Sequence, residues 1–326
     1  MCSRRTTALL TVLATVFQHT AAQILSCADV ECPISQGTTA ADCIVAGESF
    51  NAVGVADLSI EASGFDGLSW TKAVGAGSGG SSDQRLFTQN FYLGHPLGFN
   101  PDTGACALFF SRVSDRVKFG DGSPKLSEGT CAQAMTESCV NALIKRANSL
   151  DLGSAGSTEA ACEKLQNEFS DNLDSECASF ATGSRWAGIT ARPLSGAASP
   201  KAITSETNST SNCWPTLPKS NDLTLVETFN STGDFQASTL TSNFFGITPI
   251  LTVLFPGSDN STAVVTQPEA QLTCVKAIDL TTASRDTQSP KDENDKSNDG
   301  GFHLSGSSLP VMWTSIMSVF FFVLLG

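Results

Sequence analysis

Few stretches of this chain combine the residue types and spacing that chemistry needs. Asp102-Thr103-Gly104 spells the short aspartic-protease signature, in which two such carboxylates share a proton across two lobes. No second Asp-Thr-Gly or Asp-Ser-Gly occurs, and Asn100-Pro101 stands where an apolar strand should lead in. The expectation is a β-turn. Gly75-Ala76-Gly77-Ser78-Gly79-Gly80 contains G-x-G-x-x-G, a spacing that cradles phosphate only between a strand and a helix N-terminus. Here Ser81, Ser82 and Asp83 lead into another expected strand, so the segment is expected to be a flexible loop. The α/β-hydrolase elbow is also missing, because Ala76 stands where its first glycine belongs.

Of the three histidines, His19 and His303 fall in the terminal segments, leaving His95. That excludes a multi-histidine metal centre, a bis-histidine haem and every triad not built on His95. His95 sits in the turn-rich Tyr92-Leu93-Gly94-His95-Pro96 and is expected on a loop or surface. Arg112, Arg116 and Lys118 alternate with Val113, Val117 and Phe119, which predicts the solvent face of a half-buried strand. Trp70, Trp186 and Trp214 are expected in the core. Glu163, Glu168, Asp171 and Asp174 share the outer face of an amphipathic helix and are expected to be solvated. The remaining acid–base route is a pair of strand-borne carboxylates from Asp57, Glu61 and Glu227. A surface hydrolase of wall polysaccharide would need two of them about 5–10 Å apart. No catalytic, metal-ligating or cofactor-binding residue is nominated, and no cofactor is expected. With 19 Lys+Arg against 32 Asp+Glu, the net charge of −13 argues against nucleic acid as a partner.

The elements that would carry these residues follow from periodicity. Over 127–150, Cys131, Met135, Cys139, Leu143 and Ala147 recur at i, i+4, predicting a helix. After a Gly/Ser break at 151–156, Ser157 or Thr158 can cap a second helix carrying Cys162, Leu165, Phe169, Leu173, Cys177 and Phe180 on one stripe. Strands are expected at 50–60, 85–93, 106–119, 222–229, 247–255 and 271–278. Strands before and after a helical pair, without βαβ alternation, predict an α+β fold: antiparallel, sandwich-like β structure with a disulfide-stapled two-helix insert. Ten cysteines follow Cys2, and in an oxidising compartment they predict five disulfides. Antiparallel packing of the two helices about the break suggests Cys131–Cys177. Cys213 and Cys274 bracket the last strands and suggest a second pair.

Both ends carry processing signals. Arg4 and Arg5 precede an apolar stretch at 8–17, and Thr20-Ala21-Ala22 offers small residues before Gln23, predicting a signal peptide over 1–22. At the other end, 309–325 is apolar and uncharged with nothing basic after it, as in a GPI signal rather than a stop-transfer helix. Asn298-Asp299-Gly300 supplies the small ω residues. Asn298 is the expected attachment point, with Asp299 and Ser297 as neighbouring alternatives, and 299–326 is expected to be removed. Between the ends, the expected parts are a cysteine-rich region at 23–192, a Ser/Thr/Ala-rich linker at 193–211, a β-rich region at 212–280 that can complete the same domain, and a disordered stalk at 281–298. Asn208, Asn230 and Asn260 each begin Asn-Ser-Thr and are expected glycan acceptors on exposed loops.

Together the signal peptide, the cysteine-stapled ectodomain, the sequons, the stalk and the Asn298-Asp299-Gly300 terminus resemble GPI-anchored cell-surface glycoproteins of the kind filamentous fungi display on membrane and wall. The resemblance implies a place on the outer face of the plasma membrane, or transfer to the wall. The implied partners are the membrane, through the lipid, and a wall polysaccharide or another surface protein. It favours a binding or structural, non-enzymatic ectodomain, with the wall hydrolase as the alternative.

Overall fold

Apolar residues at every second position put one face of each strand into the interior. Leu68, Trp70, Val74 and Ala76 are one such stripe, and Leu272, Cys274 and Ile278 another. The computed structural model describes residues 23–33, 43–60, 65–80, 83–97, 103–234, 236–257 and 265–279. Both processing signals, the stalk, Asn298, Asn260, Glu61 and Asp102 lie outside the described residues.

In chain order the strands are β1 (Ile24–Ser26), β2 (Cys43–Val45), β3 (Glu48–Phe50), β4 (Ala52–Leu58), β5 (Leu68–Ser78), β6 (Gln84–His95) and β7 (Gly104–Phe110). They continue with β8 (Ile189–Pro193), β9 (Asp222–Asp234), β10 (Thr248–Phe255) and β11 (Glu269–Val275). The helices are α1 (Cys131–Met135), α2 (Glu137–Asn148), α3 (Thr158–Asp171), α4 (Ser205–Asn208) and α5 (Ala237–Phe245).

Antiparallel pairing builds a five-stranded sheet in the order β1-β4-β5-β6-β9 and a four-stranded sheet in the order β11-β10-β7-β8, with β2 and β3 as a separate ribbon. The two large sheets pack face to face. Trp70 on β5 meets Phe109 on β7 edge-on, with ring centroids 5.5 Å apart, and its indole N–H donates to Thr252 Oγ1 on β10 at 3.0 Å. Phe91 and Phe229 from the first sheet close on Phe109 as well. The fold is the expected α+β architecture. Because β9 pairs with β6 and β10 with β7 and β11, the strands of the 212–280 region complete the same two sheets. The segment 193–211 carries the last residue of β8 and the short α4 within that body.

The helical stripe is buried as expected: Cys131, Met135, Cys139, Leu143 and Ala147, then Cys162, Leu165 and Phe169. Thr130 caps α1 through a capping box with Gln133, and Ser157 caps α3. These helices cover the outer face of the four-stranded sheet, where Phe110 meets Phe169 and Trp186. The first helix is broken, however. Thr136 adopts φ +68°, ends α1 and caps α2. Cys131 is thereby turned toward β11 and bonds Cys274. Cys177, in a 3₁₀ turn beyond the end of α3, bonds Cys139 on α2. The suggested Cys131–Cys177 and Cys213–Cys274 pairs are therefore replaced. Cys106–Cys162 ties β7 to α3.

Cys213 lies in bonding position to both Cys32 and Cys43, and since one sulfur holds one disulfide, only one of these bonds exists in any molecule. Cys27 is buried and unbonded, so the ten cysteines do not fall into the five separate pairs expected. This cluster packs with Val53, Val55, Tyr92 and Leu223 on the outer face of the five-stranded sheet.

Two expected elements differ. The strand at 106–119 ends at Phe110, because side chains beyond it bond the local backbone. Ser114 Oγ accepts from Arg116 N–H, Asp121 Oδ1 accepts from Ser123 N–H, and Gly120 and Gly122 take positive φ. Arg112, Arg116 and Lys118 thus lie on an irregular loop, not on one strand face. The glycine-rich segment is not a free loop. Gly75 to Ser78 complete β5, and Gly75 has no side chain to collide with the Ser49 carbonyl oxygen.

Candidate functional site

Among the described residues, the candidates weighed from the sequence do not come together. His95 closes β6 and is only 7% exposed. Its Nδ1 is 3.1 Å from the Pro96 carbonyl oxygen, and its Nε2 is 2.9 Å from the Thr224 hydroxyl. It is a buried, hydrogen-bonded histidine at the end of a strand rather than the loop or surface one expected. Asp57 shares a register row with Ser69 and Gly94, on the outer face of the sheet, and is exposed, with partial burial holding its carboxyl above the ordinary range. Glu227 pairs with Phe91 on the inner face, three strands away, and is buried against Arg192 at 2.8 Å. Asp57 and Glu227 therefore form no carboxylate pair. Of the helix-face acids, Glu168 and Asp174 both bind Arg146, at 3.1 and 2.6 Å, so that face is partly ion-paired rather than simply solvated. Trp70 and Trp186 are core residues, and half-buried Trp214 donates to the Asn221 carbonyl. Asn230 lies exposed along β9, the edge strand, rather than in a loop, and Asn208 ends α4.

What the strands do assemble is a pair of buried lysines. Lys72 falls in the apolar stripe of β5, between Trp70 and Val74, and Lys276 falls in the stripe of Leu272, Cys274 and Ile278. They are 1% and 3% exposed. Lys72 and Gly54 are register partners on β5 and β4. A Cβ on Gly54 would overlap the Lys276 carbonyl oxygen, so glycine there lets the chain after β11 cross β4 and puts Lys276 beside Lys72.

Lys72 Nζ donates to the Gly246 carbonyl at 2.8 Å and to Thr248 Oγ1 at 3.1 Å, and stands 5.7 Å from the Phe91 ring centroid. Lys276 Nζ donates to the Ser123 carbonyl at 2.7 Å. Among the described residues, neither has a carboxylate oxygen within 4.0 Å. Each ammonium offers three N–H groups, so one on Lys72 and two on Lys276 are without a partner among the described residues. Burial, and then repulsion from Lys276, pushes the Lys72 amine down to about 7. Burial pushes Lys276 down to about 8, against the pull of Asp121.

A scan of protein-family models and searches of curated proteins and solved structures find no match to this chain. The site is therefore read from its own geometry. Both lysines line a cavity of about 730 Å³ where α5 and the loop at 111–122 close one end of the sandwich. The wall includes Val113, Val117, Phe119, Phe245 and Ile247, and its polar groups include Gln89, Ser242 and Asn243. The exposed Asp115, Lys118 and Asp121 add charge on the loop side.

This arrangement is suited to binding: two cations held away from water, spare donors and partly apolar walls. The readable signal is a lysine in an apolar alternation, once within β5 and once just past the end of β11. Sequence reasoning misses it because no strand is expected at 68–78 and, in the strand expected at 271–278, nothing but its apolar neighbours marks Lys276.

Proposed function

We propose that this chain is an extracellular, GPI-tethered binding protein whose ectodomain takes a small ligand into the cavity between α5 and the 111–122 loop. The observation that carries the binding role is Lys72 and Lys276, both buried beside that cavity with no carboxylate partner among the described residues. An uncompensated buried cation is unfavourable, and a site that waits for a ligand is a physical reason to keep two of them. The bridged cysteines and the exposed Asn230 on an edge strand support an oxidising, glycosylating route.

Two experiments test the two halves of this reading. Phosphatidylinositol-specific phospholipase C on intact cells should release the protein, whereas retention with Gly326 still present overturns the tether. Protein-observed NMR with a panel of small organic fragments should move resonances of residues around α5 and the 111–122 loop. A panel that moves none of them overturns the cavity as a ligand site.

A further inference from the structure

We propose that the cavity is a carboxylate site, in which Lys72 and Lys276 together hold the head group of a small organic monoanion while its body lies against Phe119, Phe245 and Ile247. This rests on the reading of the cavity as a ligand site and assigns its ligand class.

Four observations point to this class. First, both lysines line the cavity and each keeps at least one N–H without a partner among the described residues, and a carboxylate with two acceptor oxygens can take one from each. Second, the count of charge around the cavity is three lysines, Lys72, Lys118 and Lys276, against Asp115 and Asp121. One surplus positive charge matches a monoanion, and the two aspartates oppose a dianion. Third, no arginine is among the described residues lining the cavity, so those residues offer no planar fork of the kind that favours phosphate. Fourth, the apolar wall residues give a hydrocarbon or aromatic body something to cover. The titratable groups facing the two lysines come from the 111–122 loop alone: Asp115, Lys118 and Asp121. Helix α5, Gln89 of β6 and Thr248 of β10 add none among the described lining residues.

The clamp works only while its amines are protonated. Binding is therefore strongest in acid and fades as the pH rises through the range in which Lys72 and Lys276 lose their protons, about 7 and about 8. Depression of both values comes first from burial, so a bound carboxylate restores them upward, and the linkage has one sign throughout.

The test is titration calorimetry on the secreted, glycosylated protein with benzoate, hexanoate, benzamide and inorganic phosphate, at pH 6 and pH 9. Benzoate or hexanoate should bind once per chain at pH 6, with affinity falling on the order of a thousandfold by pH 9 as the protonated fractions of both Lys72 and Lys276 drop. Lys72→Met and Lys276→Met should each weaken the carboxylate at least about tenfold. The pH comparison on the unsubstituted protein decides the matter even if a variant misfolds. Silence from both carboxylates, affinity independent of pH, or unchanged binding in a folded Lys72→Met protein overturns the proposal. Benzamide binding as well as benzoate would remove the carboxylate clamp while leaving the cavity a ligand site. Phosphate binding more tightly than either acid would reject the monoanion. Failure of all four probes, together with a silent NMR panel, would remove both readings.

Discussion

Replacing Lys72 with methionine should stabilise the protein in acid and destabilise it in base. In the folded chain the amine is held near 7, against a reference of 10.5, first by burial and then by Lys276. The folded value lies below the unfolded one, so between about 7 and 10.5 the unfolded chain binds the extra proton. Wild-type stability therefore climbs with pH through that window, and the full penalty is present below it. At about 1.4 kcal/mol per unit, the depression amounts to roughly 5 kcal/mol in acid. Methionine fills similar space without the charge. It leaves the Gly246 carbonyl without its 2.8 Å donor, a loss of about 1–3 kcal/mol. Lys72→Met should thus be more stable than wild type by roughly 2–4 kcal/mol at pH 6; at pH 10 the unfolded chain still binds the proton in most molecules and roughly 1 kcal/mol of the penalty remains, so the variant should be less stable there by about 0–2 kcal/mol. Urea unfolding with disulfides intact, run on both proteins at pH 6, 8 and 10, reads the difference directly, because titrating groups other than the coupled Lys276 cancel in the comparison. A stability difference that stays constant with pH, or a variant weaker than wild type at pH 6, would refute the reasoning.

Three further outcomes follow from the packing. Non-reducing peptide mapping should recover Cys106–Cys162, Cys131–Cys274 and Cys139–Cys177, with Cys213 joined to Cys32 or Cys43; a Cys213–Cys274 peptide would contradict the fold. Burial pushes the Cys27 thiol up to about 11, so a thiol reagent at neutral pH should leave it unlabelled in the native protein and label it after unfolding; native labelling of Cys27 would contradict that burial. Gly54→Ala should lower stability on the order of 3 kcal/mol or more, since the new methyl must displace the Lys276 backbone; a thermal midpoint equal to wild type would show that the crossing is looser than described.

Periodicity made much of the fold readable. The i, i+4 cysteine stripe and the period-two strands follow from burying one face, and burial is what those side chains are selected for by physics. Pairings were harder. Cys131 and Cys139 sit two turns apart on what the sequence suggests is one continuous helix, and only the positive φ at Thr136 redirects one of them to β11. Nothing in the threonine announces that bend, since tertiary packing imposes it. Likewise, Arg112, Arg116 and Lys118 alternate like a strand face, but Ser114 and Asp121 draw the local backbone into turns. The lysine pair was legible in part. A cation at an apolar strand position is unusual enough to notice, as Lys72 shows between Trp70 and Val74. That it meets Lys276 depends on a glycine 18 residues upstream, Gly54, accepting a chain crossing from the far end of the ectodomain. Glu227 shows the opposite case: a candidate acid by position, tied instead to Arg192 by a strand from the other sheet.

The account turns on two buried amines kept free of a carboxylate until a ligand arrives, and NMR titration of the Lys72 side-chain ¹³Cε resonance tests it most directly. The expected midpoint is about 7 without ligand, moving upward on saturation with benzoate. A midpoint near the ordinary lysine value, unmoved by benzoate, would contradict the account.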